Sequence, residues 1–273
     1  MKIKILSPLW GYEHYDLKEI LDKITAAGYD GIDTGMPEDA AQRKCLLRYV
    51  ERHGLTLVLQ QHQANGDSYE AFKASFLHFL ELSAQGNPLL INSHTGRDYF
   101  SFEQNLQLID IAQSFSEKTG IPVVHETHRG RFGFSPLVMQ EYFNARPALN
   151  ITADLSHWVC VTESFLEGFS GTLSDAIART RHVHARVGYE EGPQVPDPRA
   201  PEWKYAVDYF LSWWNGIVET RLQNGDSLLT FTTEFGPPPY LQTAPFSNKP
   251  VADQFEINCY VKDLLCDRYS RYR

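Results

Sequence analysis

The chain alternates short apolar runs with longer segments of helical spacing, and the alternation repeats eight times along 273 residues. The apolar runs are IKIL, GIDTG, LTLVLQ, PLLIN, IPVVH, LNITADL, HVHARV and SLLTFTTEF. They are nearly continuously apolar, as is typical of strands that are covered on both faces. Between the first two runs, Leu17, Ile20, Leu21 and Ile24 recur at i, i+3, i+4 and i+7, which indicates one apolar helix face. Eight strand-then-helix units predict a (β/α)8 TIM barrel of the α/β class, with residues 1–273 forming a single domain.

An open, doubly wound sheet is the alternative architecture for such an alternation. It usually has fewer strands, and no GxGxxG sequence follows the first apolar run here. No linker or low-complexity segment divides the chain. The Pro-rich stretch EEGPQVPDPRAPEW, residues 190–203, is predicted to be a long loop after the seventh strand, in a place where barrel loops cover a site.

The composition of the chain disfavours nucleic acids and membranes as binding partners. The formal net charge of −9 disfavours a nucleic-acid surface, because no net positive field attracts a polyanion. No run approaches the roughly 18–20 apolar residues that a membrane helix needs. The four cysteines form no CxxC motif and are interpreted as reduced thiols. We therefore expect a cytoplasmic protein that binds neither nucleic acid nor membrane.

Polar residues with metal-binding and acid–base chemistry cluster at the predicted strand ends, which is where TIM barrels carry their active sites. The stretch VVHETHRGR brings His125, Glu126 and His128, and later strands bring Asp154, His184 and Glu234 among others. Three converging carboxylates cannot share a cavity without a cation. A mixed carboxylate and imidazole set suits Mn²⁺, Mg²⁺, Co²⁺ or Zn²⁺.

The two-residue period of a strand indicates which neighbours face together. His182 and His184 share a face, so either could be the imidazole ligand. Glu126 and His128 also share a face, whereas His125 points the other way and is expected to pack among the helices.

Glu126 on the fifth strand, Asp154-x-x-His157 on the sixth, His182-x-His184 on the seventh and Glu234 on the eighth form a pattern that resembles the xylose isomerase-like superfamily. Within it, the chain resembles the sugar and sugar-phosphate isomerases and epimerases that include D-tagatose 3-epimerase and hydroxypyruvate isomerase. The resemblance implies one divalent metal ion with four ligands, Glu126, Asp154, His184 and Glu234. It also implies that Glu126 and Glu234 act as the catalytic acid–base pair on a small sugar.

The reaction expected from this resemblance is proton transfer next to a carbonyl through a metal-stabilised enediolate, leading to isomerisation or to epimerisation. The predicted substrate-binding residues are Trp10, His62, His94, His128, His157 and Arg186. The related epimerases carry an arginine six residues after the metal histidine, but that position is Glu190 here, and Arg186 is the nearest arginine.

The abasic-site endonucleases of the same superfamily, which bind three zinc ions, are the alternative function. Most of their ligand set resembles a group in this chain, namely His62, His94, Glu126, Asp154, His157, His184 and Glu234. Their Asp-x-His motif after the seventh strand is Asp197-Pro-Arg199 in this chain, and losing that imidazole should disable the third zinc site.

The aromatic-rich segment YAVDYFLSWWNGIV, residues 205–218, has two interpretations. It either contacts a second subunit or packs against neighbouring helices. A homo-oligomer is therefore a possible form of the protein.

Overall fold

The computed structural model describes residues 1–273 and contains a closed barrel of eight parallel strands. Neighbours in the barrel are consecutive in sequence, and the last strand pairs with the first, with Lys2 opposite Leu228. The predicted (β/α)8 barrel is confirmed. The strands are β1 Lys2–Pro8, β2 Gly31–Gly35, β3 Thr56–Gln61, β4 Leu90–Ser93, β5 Val123–Glu126, β6 Ile151–Ala153, β7 Thr180–His184 and β8 Leu228–Thr232.

Nine α-helices follow or connect the strands. They are α1 Leu17–Ala26, α2 Ala40–His53, α3 Tyr69–Ala84, α4 Phe102–Thr119, α5 Pro136–Ala145, α6 Leu155–Thr162, α7 Ser170–Arg179, α8 Lys204–Gln223 and α9 Gln254–Arg268. The first five each begin after an Asp or Ser whose side chain accepts a hydrogen bond from the first turn, which satisfies an otherwise free N–H. None of the helices combines the length and the apolar character that crossing a membrane requires.

The apolar core has two parts, one inside the barrel and one between the barrel and its helices. Inside, Leu6, Val58, Leu90 and Val124 from four different strands pack together. The larger cluster outside includes Trp213 and Trp214 of α8, which are almost fully buried.

The aromatic segment of α8 therefore contributes mainly to the core. Its Tyr205 and Tyr209 remain 46% and 40% exposed. The homo-oligomer stays a prediction.

The sixth strand is shorter than predicted, and two predicted strand-end residues lie elsewhere. Strand β6 ends at Ala153, Asp154 is the N-cap of α6, and His157 lies in the first turn of that helix. The Asp154 side chain accepts a hydrogen bond from the backbone N–H of Ser156, so the chain enters a helix directly after the strand. Asp154 and His157 nevertheless remain at the carboxyl end of the barrel.

Gly31 tests the packing of β2 against β3. A methyl group at this position would lie 2.1 Å from the carbonyl oxygen of Thr56. We expect Gly31→Ala to lower the free energy of unfolding by about 1–3 kcal/mol, measured by urea denaturation, because neighbouring backbone must move. The control is Gly171→Ala in α7, where nothing lies within 4 Å and alanine should stabilise the helix by up to about 1 kcal/mol. Equal midpoints for Gly31→Ala and the wild type would contradict this strand packing.

Candidate active site

Four side chains from successive strand ends meet at the carboxyl end of the barrel. Each of Glu126, Asp154, His184 and Glu234 offers one ligand atom, and these atoms lie within 4.8 Å of one another. All four residues are at most 4% exposed. The four residues expected to converge are thus brought together, and we call them the central cluster.

Asp33 on β2 determines the orientation of His184. The Asp33 Oδ2 atom lies 3.0 Å from His184 Nε2 and 3.1 Å from His182 Nε2, and it accepts a hydrogen bond of 2.8 Å from Thr232. Burial would raise the pKa of Asp33, but the hydrogen bonds from the two histidines lower it below the ordinary value. Asp33 is therefore an ionised acceptor for the Nε2 proton of His184, which leaves Nδ1 to hold either a second proton or a metal ion.

The free nitrogen of His184 faces two carboxylates. Nδ1 lies 2.7 Å from Glu234 Oε2 and 3.5 Å from Glu126 Oε2, yet it makes no hydrogen bond. A lone pair directed at anionic oxygens is repulsive, so either a second proton or a metal ion must lie between them. Asp33 contacts one ring nitrogen of His184, and the other ring nitrogen faces further carboxylates. Metal-binding histidines typically have this arrangement.

Glu126 is held at one oxygen and free at the other. Its Oε2 atom accepts a hydrogen bond of 2.6 Å from Asn92 Nδ2 and lies 2.9 Å from His94 Nε2, whereas Oε1 is buried without a partner. Burial would raise the pKa of Glu126, but His94 and His184 outweigh it and hold the pKa well below the usual range. Glu126 is therefore an ionised carboxylate whose Oε1 atom has no hydrogen-bond partner within the protein.

Arg186 lies beside the central cluster and bridges two of its carboxylates. Its Nη2 atom donates to Asp154 Oδ2 and, at 2.9 Å, to Glu234 Oε2. The guanidinium lies over the rings of Tyr240 and Trp10, 4.8 and 5.8 Å from their centroids. Its Nε and Nη1 atoms are buried without partners. Arg186 was predicted to bind substrate; it lines the cavity with two free donors, and it also neutralises part of the charge of the central cluster.

The residues present fit a divalent cation. Three carboxylates and one imidazole form the donor set, and Arg186 supplies a single positive charge against the three negative ones. Burial would lower the pKa of His184, but the carboxylates of Glu234 and Glu126 raise it well above the usual range. The central cluster thus attracts additional positive charge, and one divalent ion would balance the remainder.

Further histidines follow one another around the barrel mouth. The ring centroids are 6.0 Å apart for His62 and His94, 4.7 Å for His94 and His128, and 3.8 Å for His128 and His157. His94 and His128 form a second possible ligand group with Glu126. Burial lowers the pKa of His128 and of His157 well below the usual range, so both are neutral. As expected, His125 lies outside this row, where it contacts Thr95 and Phe132.

A cavity of about 450 Å³ opens beside the central cluster. It is lined by Glu126 and Glu234 and by five of the six predicted substrate-binding residues, namely Trp10, His62, His94, His128 and Arg186. His157 lies behind this wall and is fully buried, with Nε2 3.3 Å from Arg186 Nη2. The predicted contact of His157 with a substrate oxygen stays a prediction.

Sequence reasoning missed Asp33, Asn92 and Gln60, whose side chains hold His184, Glu126 and Glu234 respectively. Each is a polar residue inside a short apolar strand and is at most 7% exposed. A polar side chain buried in a strand needs a partner, and this signal was present in GIDTG, in LTLVLQ and in PLLIN.

Comparison with solved structures identifies the fold. A D-tagatose 3-epimerase-like protein superposes with a TM-score of 0.65 at 15% identity, covering 100% of both chains. The chain shares this fold with the xylose isomerase-like barrels. The 3-keto-D-glucoside 4-epimerase of E. coli gives a TM-score of 0.63 at 12% identity over 97% of this chain and 99% of that one. A xylose isomerase-like TIM barrel protein from Mycobacterium smegmatis, in complex with magnesium, gives 0.60 at 10% identity over 87% and 92%.

No protein-family model and no curated protein matches the sequence. The predicted resemblance to the xylose isomerase-like superfamily is thus confirmed as a likeness of fold. At these identities the likeness extends to the fold, and the chemistry must be argued from the site.

Arg186 allows a test of the charge balance. We expect Arg186→Met, measured by urea denaturation in EDTA, to lower the free energy of unfolding by about 3–5 kcal/mol, because Asp154 and Glu234 lose a buried cationic partner. Mn²⁺ should recover part of the loss. The control is Arg199→Met, which removes a half-buried surface pair with Asp197 and should cost less than about 1 kcal/mol. Equal losses in the two variants would contradict a role for Arg186 in the charge balance.

Proposed function

We propose that the protein is a metal-dependent sugar isomerase or epimerase that moves a proton at the carbon next to a carbonyl group. The observation that carries the proposal is the central cluster, in which one glutamate at the end of β5 and one just after β8 flank a histidine nitrogen without a hydrogen bond. Solved structures with the same fold include a sugar epimerase, which supports this reaction class.

Glu126, Asp154, His184 and Glu234 would hold one divalent ion, which is Mn²⁺, Mg²⁺, Co²⁺ or Zn²⁺ by the chemistry of the donors. When bound, such an ion supplies positive charge against the negative charge that develops on the enediolate. The magnesium complex of a protein with the same fold supports the binding of a divalent ion by a barrel of this kind.

The two glutamates carry out the proton transfers. The free Oε1 of Glu126 accepts the proton from the substrate carbon, because Asn92 and His94 hold the other oxygen in place. Glu234, held by Gln60 and Arg186, takes up a proton from solvent and delivers it either to the opposite face of that carbon or to its neighbour, and Glu126 then releases its proton to solvent. Return to the opposite face gives epimerisation, and return to the neighbour gives isomerisation.

The remaining donors orient the substrate. Arg186 Nε and Nη1 donate to a carbonyl or hydroxyl oxygen, since neither has a partner within the protein. His94 and His62 contribute imidazole groups along the same wall of the cavity. General acid–base catalysis by the two glutamates, acting on a substrate oriented in this way, contributes about 10²–10⁴-fold to the rate.

Two contacts disfavour the endonuclease alternative. Arg199, in place of the endonuclease histidine, forms a bidentate ion pair with Asp197, so the carboxylate of a third metal site is already occupied. His157 Nε2 faces Arg186 Nη2 at 3.3 Å, where a cation already lies. The cavity lining includes Glu13, Asp33, Glu126 and Glu234, which would repel a phosphodiester backbone.

The acid–base roles are testable by isotope exchange. We expect the Mn²⁺-loaded protein to transfer deuterium from D₂O to the carbon next to the carbonyl of a ketose, followed by NMR. Glu126→Gln and Glu234→Gln should each reduce the exchange about 10²–10⁴-fold, since neither amide can carry the proton.

The control is Glu202→Gln, an exposed residue outside the cavity, which should exchange at the wild-type rate. Full exchange in Glu234→Gln would exclude the two-glutamate mechanism. Cleavage of an abasic-site oligonucleotide by the wild type would instead favour the endonuclease.

Asp33 tests metal binding without any substrate. We expect Asp33→Asn to weaken Mn²⁺ binding about 10–100-fold by isothermal titration calorimetry, because His184 loses the anionic partner that sets its tautomer. Asp208→Asn, in an exposed pair with Lys204, is the control and should bind as the wild type does. Unchanged affinity in Asp33→Asn would mean that His184 is not a ligand.

A further inference from the structure

The cavity is larger than the proton-transfer chemistry requires. Its volume of about 450 Å³ exceeds that of a free hexose, which occupies on the order of 200 Å³ when packed at the density of a protein interior. The cavity continues from the central cluster toward the loop between β1 and α1 and the start of α2. A monosaccharide in contact with Glu126 and Glu234 would leave this outer part of the cavity empty.

The two ends of the cavity differ in chemistry. The inner end carries the ionised and hydrogen-bonding groups described above. The outer end is mainly apolar and aromatic, and its lining residues include Leu9, Tyr12, Tyr15, Leu17, Ile20 and Pro37. Glu13 and Gln42 supply polar groups there. Such a lining fits an uncharged group with an apolar face.

The charges of the lining disfavour a phosphate on the substrate. Arg186 is the one Lys or Arg side chain that lines the cavity, and two carboxylates already offset its charge. Arg129 lies over the Tyr240 ring, 5.1 Å from the centroid, but it does not line the cavity. Glu13 lines the outer end and no Lys or Arg side chain does, so a phosphomonoester there would lack a cationic partner in the cavity wall.

The outer wall is held in place by the last helix. Gln254 Nε2 donates to the carbonyl oxygens of Trp10 and Phe235, both at 2.9 Å, and Asn258 Nδ2 donates to Tyr12 Oη at 3.1 Å. At Gly236, a methyl group would lie 2.2 Å from the Trp10 ring, so the ring fits against bare backbone. The loop is therefore pre-organised, and binding a ligand there costs little ordering.

We propose that the substrate is an uncharged glycoside rather than a free or phosphorylated monosaccharide. Its keto-sugar unit lies at the central cluster, and a ring joined through the glycosidic bond lies between Tyr12, Tyr15 and Leu17. That ring is either a second sugar or an aromatic aglycone, since both present an apolar face to aromatic side chains. This inference rests on the proposed function for the inner end, but the binding test below requires no turnover.

The test compares non-reacting ligands by isothermal titration calorimetry on the full-length, Mn²⁺-loaded protein. The ligands are glucose, phenyl β-D-glucoside, cellobiose and glucose 6-phosphate. We expect at least one of the two ring-bearing ligands to bind about tenfold or more tightly than glucose, because the added ring buries apolar surface. Tighter binding of phenyl glucoside identifies an aglycone, and tighter binding of cellobiose identifies a second sugar. Glucose 6-phosphate should bind most weakly.

A variant that fills the outer part of the cavity gives the second measurement. Gln42 is exposed and lines the cavity, so Gln42→Trp adds bulk there without entering the core. The advantage of the ring-bearing ligand should fall to less than about threefold. The control is Glu51→Trp, an exposed position on the same helix that does not line the cavity, which should keep the full advantage.

The outcomes separate the two proposals. Equal affinity for glucose and both ring-bearing ligands, or tightest binding of glucose 6-phosphate, would overturn the glycoside inference. An advantage that survives in Gln42→Trp would also overturn it. Deuterium exchange into a free ketose, with no glycoside preference, would leave the proposed function standing alone. A glycoside preference without any exchange into a keto-glycoside would leave the outer subsite standing and reject the isomerase.

Discussion

The concentration of negative charge at one end of the barrel is the constraint on which the rest of the site depends. Asp33, Glu126, Asp154 and Glu234 are all almost completely buried there. Removing isolated carboxylates from water costs several kcal/mol each, so every one of them needs a partner. Arg186 and the histidines supply those partners, and the surplus of negative charge gives the central cluster a donor set that fits a cation. A change at any one of these positions therefore alters the electrostatics of the others.

The fold and the outline of the site could be read from the sequence for a simple geometric reason. Parallel barrel strands all end at the same rim, so Glu126, Glu234 and one of His182 and His184 were expected to approach one another once eight strands were recognised. The choice of His184 came from the family resemblance. The predicted end of β6 was wrong, but the predicted position of Asp154 in the site was unaffected, because the chain passes from strand to helix at Asp154, on that same rim.

Other features depended on information that the sequence does not carry. Asp33 and Asn92 lie within strands, and which face they occupy is decided by barrel register across partners distant in sequence. The double contact of Arg186 with Asp154 and Glu234 depends on side-chain conformation, which no spacing rule specifies. The outer cavity depends on the path of the loop between β1 and α1, which is determined by contacts with the C-terminal helix.

The hydrogen bonds from Gln254 and Asn258 to this loop also order events during synthesis of the chain. Trp10 and Tyr12 emerge from the ribosome early, but the residues that hold them in place lie in α9, 244 and 246 residues later. A nascent chain can pair its early strands, yet the wall of the outer cavity is incomplete until α9 has been made. That wall thus forms in one late step, when α9 meets the loop between β1 and α1.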